Sequence, residues 1–116
     1  MTEFKIDSRQ ISNISVLDLS GYLDAHTAPV LEEAFANLIN QSKYRIVVNF
    51  SSLDYISSAG LGVFMAFIDQ VRTNSGDIKL TSMSKKIFNI FDLLGFPLLY
   101  EIYSSETDAI NKYEEK

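Results

Sequence analysis

Apolar segments of strand type and of helix type alternate along this chain, and that order limits the folds it can adopt. Residues 44–50 form a nearly continuous apolar run rich in β-branched residues, which is typical of a strand covered on both faces. Further strands are predicted at residues 3–8, 14–20, 78–83 and 98–103. The first two fit a hairpin, and the last fits an edge position.

Between these strands, apolar residues recur at three- and four-residue spacing, which predicts amphipathic helices. We expect the Thr27 hydroxyl, just before Pro29, to cap the first helix, Ser84 to cap the third, and Ser104 or Ser105 to cap the last. The predicted buried faces consist of Val30, Leu31, Ala34, Phe35, Leu38 and Ile39, then Leu61, Phe64, Met65, Ile68 and Val71, then Ile87, Ile90, Phe91 and Leu94, and finally Ala109, Ile110 and Tyr113. Strands that alternate with helices favour a layered α/β fold, and 116 residues suit a single domain.

The composition argues against several classes of function. A formal charge of −5 opposes phosphate backbones and anionic lipids, so we expect neither a nucleic-acid nor a membrane partner. With no Cys and one His, neither a disulfide framework nor a thiolate zinc site is expected, and we predict no metal and no cofactor. The first five residues lack the pattern of a signal peptide, and no apolar run approaches the ~20 residues of a spanning helix. These features predict a soluble, cytoplasmic protein.

Residues 54–62 contain the most informative pattern, because two adjacent hydroxyls stand where a helix should begin after a buried strand. Ligand and active sites of such sheets favour the carboxyl ends of strands. Most serines at a helix start cap it by accepting a backbone N–H, so Ser57 can act as the cap while Ser58 points outward. Gly60 and Gly62 each cost about 1 kcal/mol relative to Ala inside a helix, so each needs a packing or access reason. They leave bare backbone over which a partner can approach.

Signatures of enzymes are weak in this sequence. It lacks a phosphate-binding loop, its two clustered glycines lack the third glycine of a dinucleotide fingerprint, and the residue two before Ser58 is Ile56 where a nucleophile elbow needs Gly. A hydrolytic pair of Ser58 with His26 and a pair of acids, Asp24 and Asp54, stay as alternatives, although turn roles are commoner for such residues. We therefore predict that the protein is not an enzyme.

The second predicted helix carries more apolar surface than one buried stripe requires. Val63, Phe64 and Phe67 extend beyond the face formed by Leu61, Met65 and Ile68. Packing against the sheet would bury this surface, and a protein-binding patch beside the serines is the alternative.

Two segments carry a resemblance to a known family: Asp54-Tyr-Ile-Ser-Ser-Ala-Gly-Leu-Gly62 and, upstream, Gly21-Tyr-Leu-Asp-Ala-His-Thr-Ala-Pro29. They resemble the stand-alone STAS domains of bacteria, the anti-sigma factor antagonists. The likeness covers essentially the whole chain, including the apolar strand before the serines and a helix that ends in Leu-Gly-Phe at residue 96. It implies a single STAS domain over residues 1–116, with a small mixed β-sheet of about four to five strands covered by about four α-helices.

The resemblance also implies a function. The regulatory serine of the family falls on Ser58, with Ser57 as the alternative. An anti-sigma factor that is itself a serine kinase would phosphorylate it with ATP, and a phosphoserine phosphatase would reverse the reaction. The unmodified form would bind the anti-sigma factor and so release the sigma factor. A scaffold subunit of a larger signalling assembly is the alternative function, whereas the switch implies a monomer or weak dimer.

By the same resemblance, the partner-binding residues fall on Asp24, His26, Thr27, Ser57, Ser58, Ala59, Gly60, Leu61 and Gly62. Two positions depart from the common pattern of the family. Ser57 stands where Asp usually precedes the regulatory serine, and Tyr22 stands where Glu is usual, while Asp24 is retained. The second departure implies a difference in partner specificity.

Overall fold

A computed structural model describes residues 3–114, and residues 1–2 and 115–116 of the predicted domain lie outside the described residues. The strands of the described part are β1 (Lys5–Ile11), β2 (Ile14–Leu23), β3 (Arg45–Ile56), β4 (Asp77–Thr81) and β5 (Ile102–Tyr103). Its α-helices are α1 (Ala28–Asn40), α2 (Ser58–Thr73), α3 (Lys85–Leu93) and α4 (Glu106–Glu114), and a short 3₁₀ helix spans Phe96–Leu98.

The five strands form one sheet in the order β1-β2-β3-β4-β5. β1 and β2 pair antiparallel as the predicted hairpin, and every later neighbour is parallel. Ser12, with a positive φ of 54°, provides the left-handed turn conformation between them. This architecture confirms the predicted α/β fold with a small mixed sheet and four helices.

Helices cover both faces of the sheet. The larger core lies on the side of α1, α2 and α3, where Phe50 of β3 packs edge-on against Phe91 with ring centroids 5.4 Å apart. A smaller core lies on the side of α4, where Ala109 packs with Ile14, Val16 and Val47. β3 is therefore buried from both sides along the run that the sequence marks as a central strand, and it continues past the predicted end at residue 50 to Ile56.

Three residues of the predicted buried faces lie at the surface instead: Val30, Met65 and Leu94 are each about half exposed. In α2 the buried stripe centres on Phe64, so Met65, turned by about 100° around the helix axis, points away from the sheet. Val63 and Phe64 are buried, so the core interpretation is confirmed for them and the protein-binding patch is wrong for them.

The last strand is much shorter than predicted, because residues 98–101 do not join it. Gly95 adopts a left-handed conformation with φ 78°, and the 3₁₀ helix containing Pro97 follows at once. This turn leaves Leu98 90% exposed and buries Tyr100, whose hydroxyl donates to the Phe64 carbonyl over 2.6 Å.

Polar contacts attach α4 to the sheet. The Tyr113 hydroxyl accepts from the Ile46 amide over 3.1 Å and lies 2.7 Å from the Ile46 carbonyl oxygen. Lys79 is buried beneath it, with its ammonium 3.0 Å from the Asp77 carboxylate and 3.1 Å from that of Glu101. At the start of the helix, Arg9 bridges Glu106 and Asp18.

The ion pair of Arg9 with Asp18 predicts that stability depends on pH. Hydrogen bonds from Arg9, and less strongly from Asn49, lower the pKa of Asp18 below its ordinary value. The unfolded chain therefore binds more protons than the folded one around pH 4, and the free energy of unfolding falls as the pH falls through that range. We expect Asp18→Asn to be less stable than wild type at pH 7 and to approach it at pH 3 in urea unfolding. An equal stability difference at both pH values would contradict this account.

Candidate functional site

The two adjacent serines have different environments at the start of α2. Ser57 lies just before the helix in extended backbone, and its Oγ accepts a hydrogen bond from the Gly60 amide over 3.3 Å. It is therefore the N-cap that the sequence predicts. Ser58 is the first helical residue and is exposed, and within residues 3–114 its hydroxyl has no hydrogen-bond partner. Of the two hydroxyls, that of Ser58 is the one open to an incoming group.

The two glycines of α2 have separate reasons for being there. A Cβ built on Gly60 would lie 2.7 Å from Leu23 Cγ and 3.0 Å from Ile56 Cγ1, so close packing onto the ends of β2 and β3 requires glycine. A Cβ on Gly62 would meet no atom within 4 Å. Gly62 is exposed, so it provides the bare helical backbone that the sequence indicates.

The loop between β2 and α1 is held by its own side chains. Asp24 Oδ1 accepts from the backbone N–H groups of His26 (3.0 Å) and Thr27 (3.1 Å). The Thr27 hydroxyl accepts from the Asp24 amide over 2.9 Å and lies 2.8 Å from the Tyr22 carbonyl oxygen. The predicted helix-capping role of Thr27 is therefore wrong, because Thr27 precedes α1 but its hydroxyl ties the loop back to β2.

This loop also lowers the pKa of a carboxylate. The backbone N–H of Thr27, together with the Thr27 hydroxyl and the His26 N–H, lowers the pKa of Asp24 below its ordinary value. His26 is exposed, and in the described part of the chain no hydrogen bond joins it to Ser58. The structure thus places Asp24 in a turn, and it does not assemble the alternative hydrolytic pair.

The loop and the start of α2 meet where β2 and β3 end. The Ser57 amide donates to the Leu23 carbonyl over 2.9 Å, and Gly60 packs on the Leu23 side chain. Gly60 and Leu61 are buried, so these two predicted partner-binding residues lie beneath the surface. The other predicted residues form the surface that we call the Ser58 face: Asp24, His26, Thr27, Ser57, Ser58, Ala59 and Gly62.

Most residues of the Ser58 face are exposed. A groove of about 420 Å³ lies between β1 and α1, lined by Ile6, Glu33 and Asn37 among others. A second groove, of about 380 Å³, lies near Gln10, Tyr44 and Ser75. Neither of these two grooves includes a residue of the Ser58 face. Between residues 3 and 114 we find no cluster of acidic and histidine side chains arranged to hold a metal ion, and no helix long and apolar enough to span a bilayer.

Two further residues beside this face were not picked out from the sequence as a pair. Tyr22 and Tyr55 are register partners on β2 and β3, and their ring centroids lie 5.6 Å apart. In the structure each tyrosine stands one residue before the end of its strand, past the ends at residues 20 and 50 that the sequence predicts. What could not be read from the sequence is the irregular register between Gly21 and Tyr22 that places the two rings side by side.

Comparisons with known proteins identify the family and support the fold. The family model described as STAS domain matches residues 5–109. The anti-sigma-B factor antagonist of Bacillus subtilis (strain 168) is 29% identical over 105 residues, which cover 90% of this chain and 95% of that protein. An anti-sigma factor antagonist from Mycobacterium paratuberculosis superposes with a TM-score of 0.90 at 21% identity, covering 97% of this chain and 96% of that one. The Bacillus cell fate determinant SpoIIAA, in its phosphorylated form, superposes with a TM-score of 0.72 at 21% identity, covering 96% and 99%. Because the family model spans most of the described residues, including the Ser58 face and both strands that support it, this chain belongs to the STAS domain family.

Proposed function

We propose that this protein is an anti-sigma factor antagonist that switches partners through phosphorylation of Ser58. Unphosphorylated, it binds a cytoplasmic anti-sigma factor that is also a serine kinase, and this releases the sigma factor. Phosphorylation ends the binding, and a phosphoserine phosphatase restores it. The name of the Bacillus subtilis relative supports the role of antagonist.

The observation that carries the proposal is the division of roles between the two serines. A kinase must reach its acceptor hydroxyl, and Ser58 is exposed at the first position of α2 with its hydroxyl unengaged. Ser57 is partly buried and its Oγ holds the Gly60 amide, so modifying it would remove the helix cap. The geometry therefore favours Ser58 over Ser57 as the acceptor.

A phosphate at this position is compatible with the folded domain. A phosphoserine carries about −1.5 to −2 charges at pH 7, and a helix N-terminus favours negative charge through its free N–H groups and dipole. The structural neighbour SpoIIAA has a phosphorylated form with the same fold. We therefore expect the domain to stay folded after modification.

The same phosphate would exclude a partner from the Ser58 face. A surface that packs over Gly62 and Ala59 would have to remove water from the dianion next to them, which is costly without a matching cation. The two segments that form the Ser58 face, residues 22–28 and 57–62, contain no Lys or Arg of their own. Binding and phosphorylation would then be mutually exclusive states of one surface.

Mapping the modification tests the assignment. We expect incubation with the candidate anti-sigma kinase and ATP to add one phosphate, found at Ser58 by mass spectrometry, and Ser58→Ala to add none. Ser57→Ala, the matched control, should still be modified. A phosphate found solely at Ser57 would reject the assignment to Ser58.

One observation favours the alternative function, a scaffold subunit in a larger signalling assembly. Four leucines around the left-handed Gly95 are exposed: Leu93, Leu94, Leu98 and Leu99. Exposed apolar residues of this kind can support self-association. Light scattering separates the two functions, since a stable large oligomer supports the scaffold and a monomer or weak dimer supports the switch.

A further inference from the structure

An exposed pair of tyrosines lies next to the Ser58 face. Tyr22 is 44% exposed and Tyr55 is 38% exposed, and their rings are tilted by 35° with centroids 5.6 Å apart. The buried Tyr100 and the partly buried Tyr113 use their hydroxyls in hydrogen bonds that hold the fold together. Within residues 3–114, the hydroxyls of Tyr22 and Tyr55 have no such partner. Their rings therefore offer aromatic surface that the fold does not use.

This pair is continuous with the Ser58 face but lies on the other side of the strand ends. The neighbouring Leu23 and Ile56 point into the core beneath the helices, so Tyr22 and Tyr55 point to the opposite face of the sheet. The backbone of Leu23 joins the two surfaces, since its carbonyl accepts the Ser57 amide. A partner that covers Ser58 can therefore reach over the strand ends to the tyrosines.

The electrostatic surroundings of the pair favour a positive charge. The strand ends around the pair, residues 18–27 and 50–59, contain no Lys or Arg and three acidic residues, Asp18, Asp24 and Asp54, and the exposed Lys5 on the adjacent β1 is the register partner of Ser20. Asp18 is paired with Arg9. Asp24 follows Leu23 in a turn whose hydrogen bonds lower its pKa, and Asp54 directly precedes Tyr55 and is exposed.

Other tyrosines of this protein already hold cations over their rings. The Arg72 guanidinium carbon lies 5.6 Å from the Tyr100 centroid, and the Lys79 ammonium lies 4.7 Å from that of Tyr113. The face of a tyrosine ring attracts a cation within about 6 Å, and Arg is the commoner partner. In the described part of the chain, no cation lies over Tyr22 or Tyr55.

From these observations we propose that Tyr22 and Tyr55 form a recognition site for an arginine side chain of the anti-sigma factor. This inference rests on the proposed function and adds the chemistry by which the partner is selected. The arginine stacks on the exposed rings, and Asp24 and Asp54 add charge complementarity. Because Ser58 belongs to the helical side and the rings to the opposite side, recognition by the tyrosines and exclusion by phosphate are separate contacts.

Three substitutions at Tyr22 test this site. The order of their affinities for the anti-sigma factor differs according to whether the partner places a cation or an apolar group on the rings. If the partner contributes an arginine, Tyr22→Phe keeps the ring face and Tyr22→Glu offers a carboxylate in its place. Both variants should then bind the anti-sigma factor within a few fold of wild type. Tyr22→Leu offers neither group, so it should bind about tenfold more weakly. For an apolar partner, Tyr22→Leu retains binding and Tyr22→Glu loses it, and this order would overturn the proposal. Thermal unfolding of each variant serves as the folding control, since Tyr22 lies at the surface.

Failure of the inference and failure of the proposed function are distinguishable. Should Ser58→Asp block binding while the Tyr22 variants follow the apolar order, only the arginine site is wrong. Should wild type not bind the anti-sigma factor, the proposed function is wrong, and a titration of the isolated protein decides the inference. In that titration we expect N-acetylarginine amide to shift the NMR signals of the Tyr22 and Tyr55 rings more than N-acetylleucine amide does. Equal or absent shifts would overturn the arginine site.

Discussion

Ser58→Asp weakens binding to the anti-sigma factor by about a hundredfold, and Ser58→Ala leaves it unchanged; this is the largest effect that we expect. An unpaired charge buried at an interface costs about 3 kcal/mol, which corresponds to that factor. The alanine variant keeps the docking surface and removes only an unengaged hydroxyl. Isothermal titration calorimetry with the purified anti-sigma factor measures the dissociation constants of both variants.

Ser57→Ala is the matched control for these variants. It removes the Oγ that holds the Gly60 amide, so we expect it to lose about 1 kcal/mol of stability. Ser58→Ala should unfold at nearly the wild-type temperature, because the Ser58 hydroxyl makes no hydrogen bond within residues 3–114. Equal binding by Ser58→Ala and Ser58→Asp would reject the switch, whatever the effect of Ser57→Ala.

The second large effect concerns Gly60 and Gly62, which lie about half a helical turn apart on α2. Gly60→Ala should destabilise the domain by about 1–3 kcal/mol, because its new methyl would lie 2.7 Å from the buried Leu23 Cγ. Gly62→Ala meets no atom within 4 Å, so it should stabilise the domain by about 0.5–1 kcal/mol through its helix propensity. Urea unfolding of the two variants checks the opposite signs.

The Gly60→Ala and Gly62→Ala variants are also compared by their affinity for the anti-sigma factor. The added methyl of Gly62→Ala stands on the Ser58 face, so we expect this more stable variant to bind the anti-sigma factor more weakly than wild type. A Gly62→Ala variant with full affinity would show that the partner does not approach the bare backbone. If instead Gly60→Ala were as stable as wild type, the packing of Leu23 against α2 would not require glycine.

Much of the fold follows from patterns that act locally. The order of strands and helices and the caps Ser57 and Ser84 depend on side-chain period and on hydroxyls next to free amides, and these are visible in the sequence. The choice between Ser104 and Ser105 needed the structure, where Ser105 Oγ accepts from the Asp108 amide over 3.2 Å.

The remaining features depend on competition between neighbours. Thr27 does not cap α1 because its hydroxyl is engaged by the Asp24 amide and the Tyr22 carbonyl. Met65 and Phe64 are adjacent and both apolar, and which of them is buried depends on how α2 is rotated about its own axis against the sheet. At the site, the sequence predicts the serines and the glycines, whereas the pairing of Tyr22 with Tyr55 depends on an irregular register between two strands.

The cap that Ser57 forms on α2 bears on how readily Ser58 could be modified. Because Ser57 already caps the helix and Ser58 is exposed, the kinase of the proposed switch would find its target hydroxyl accessible in the native fold. The lifetime of each signalling state would then be set by the two opposing enzymes alone. In the proposed switch, the phosphorylation state of Ser58 would record the signal, and local opening of the fold would not change that state.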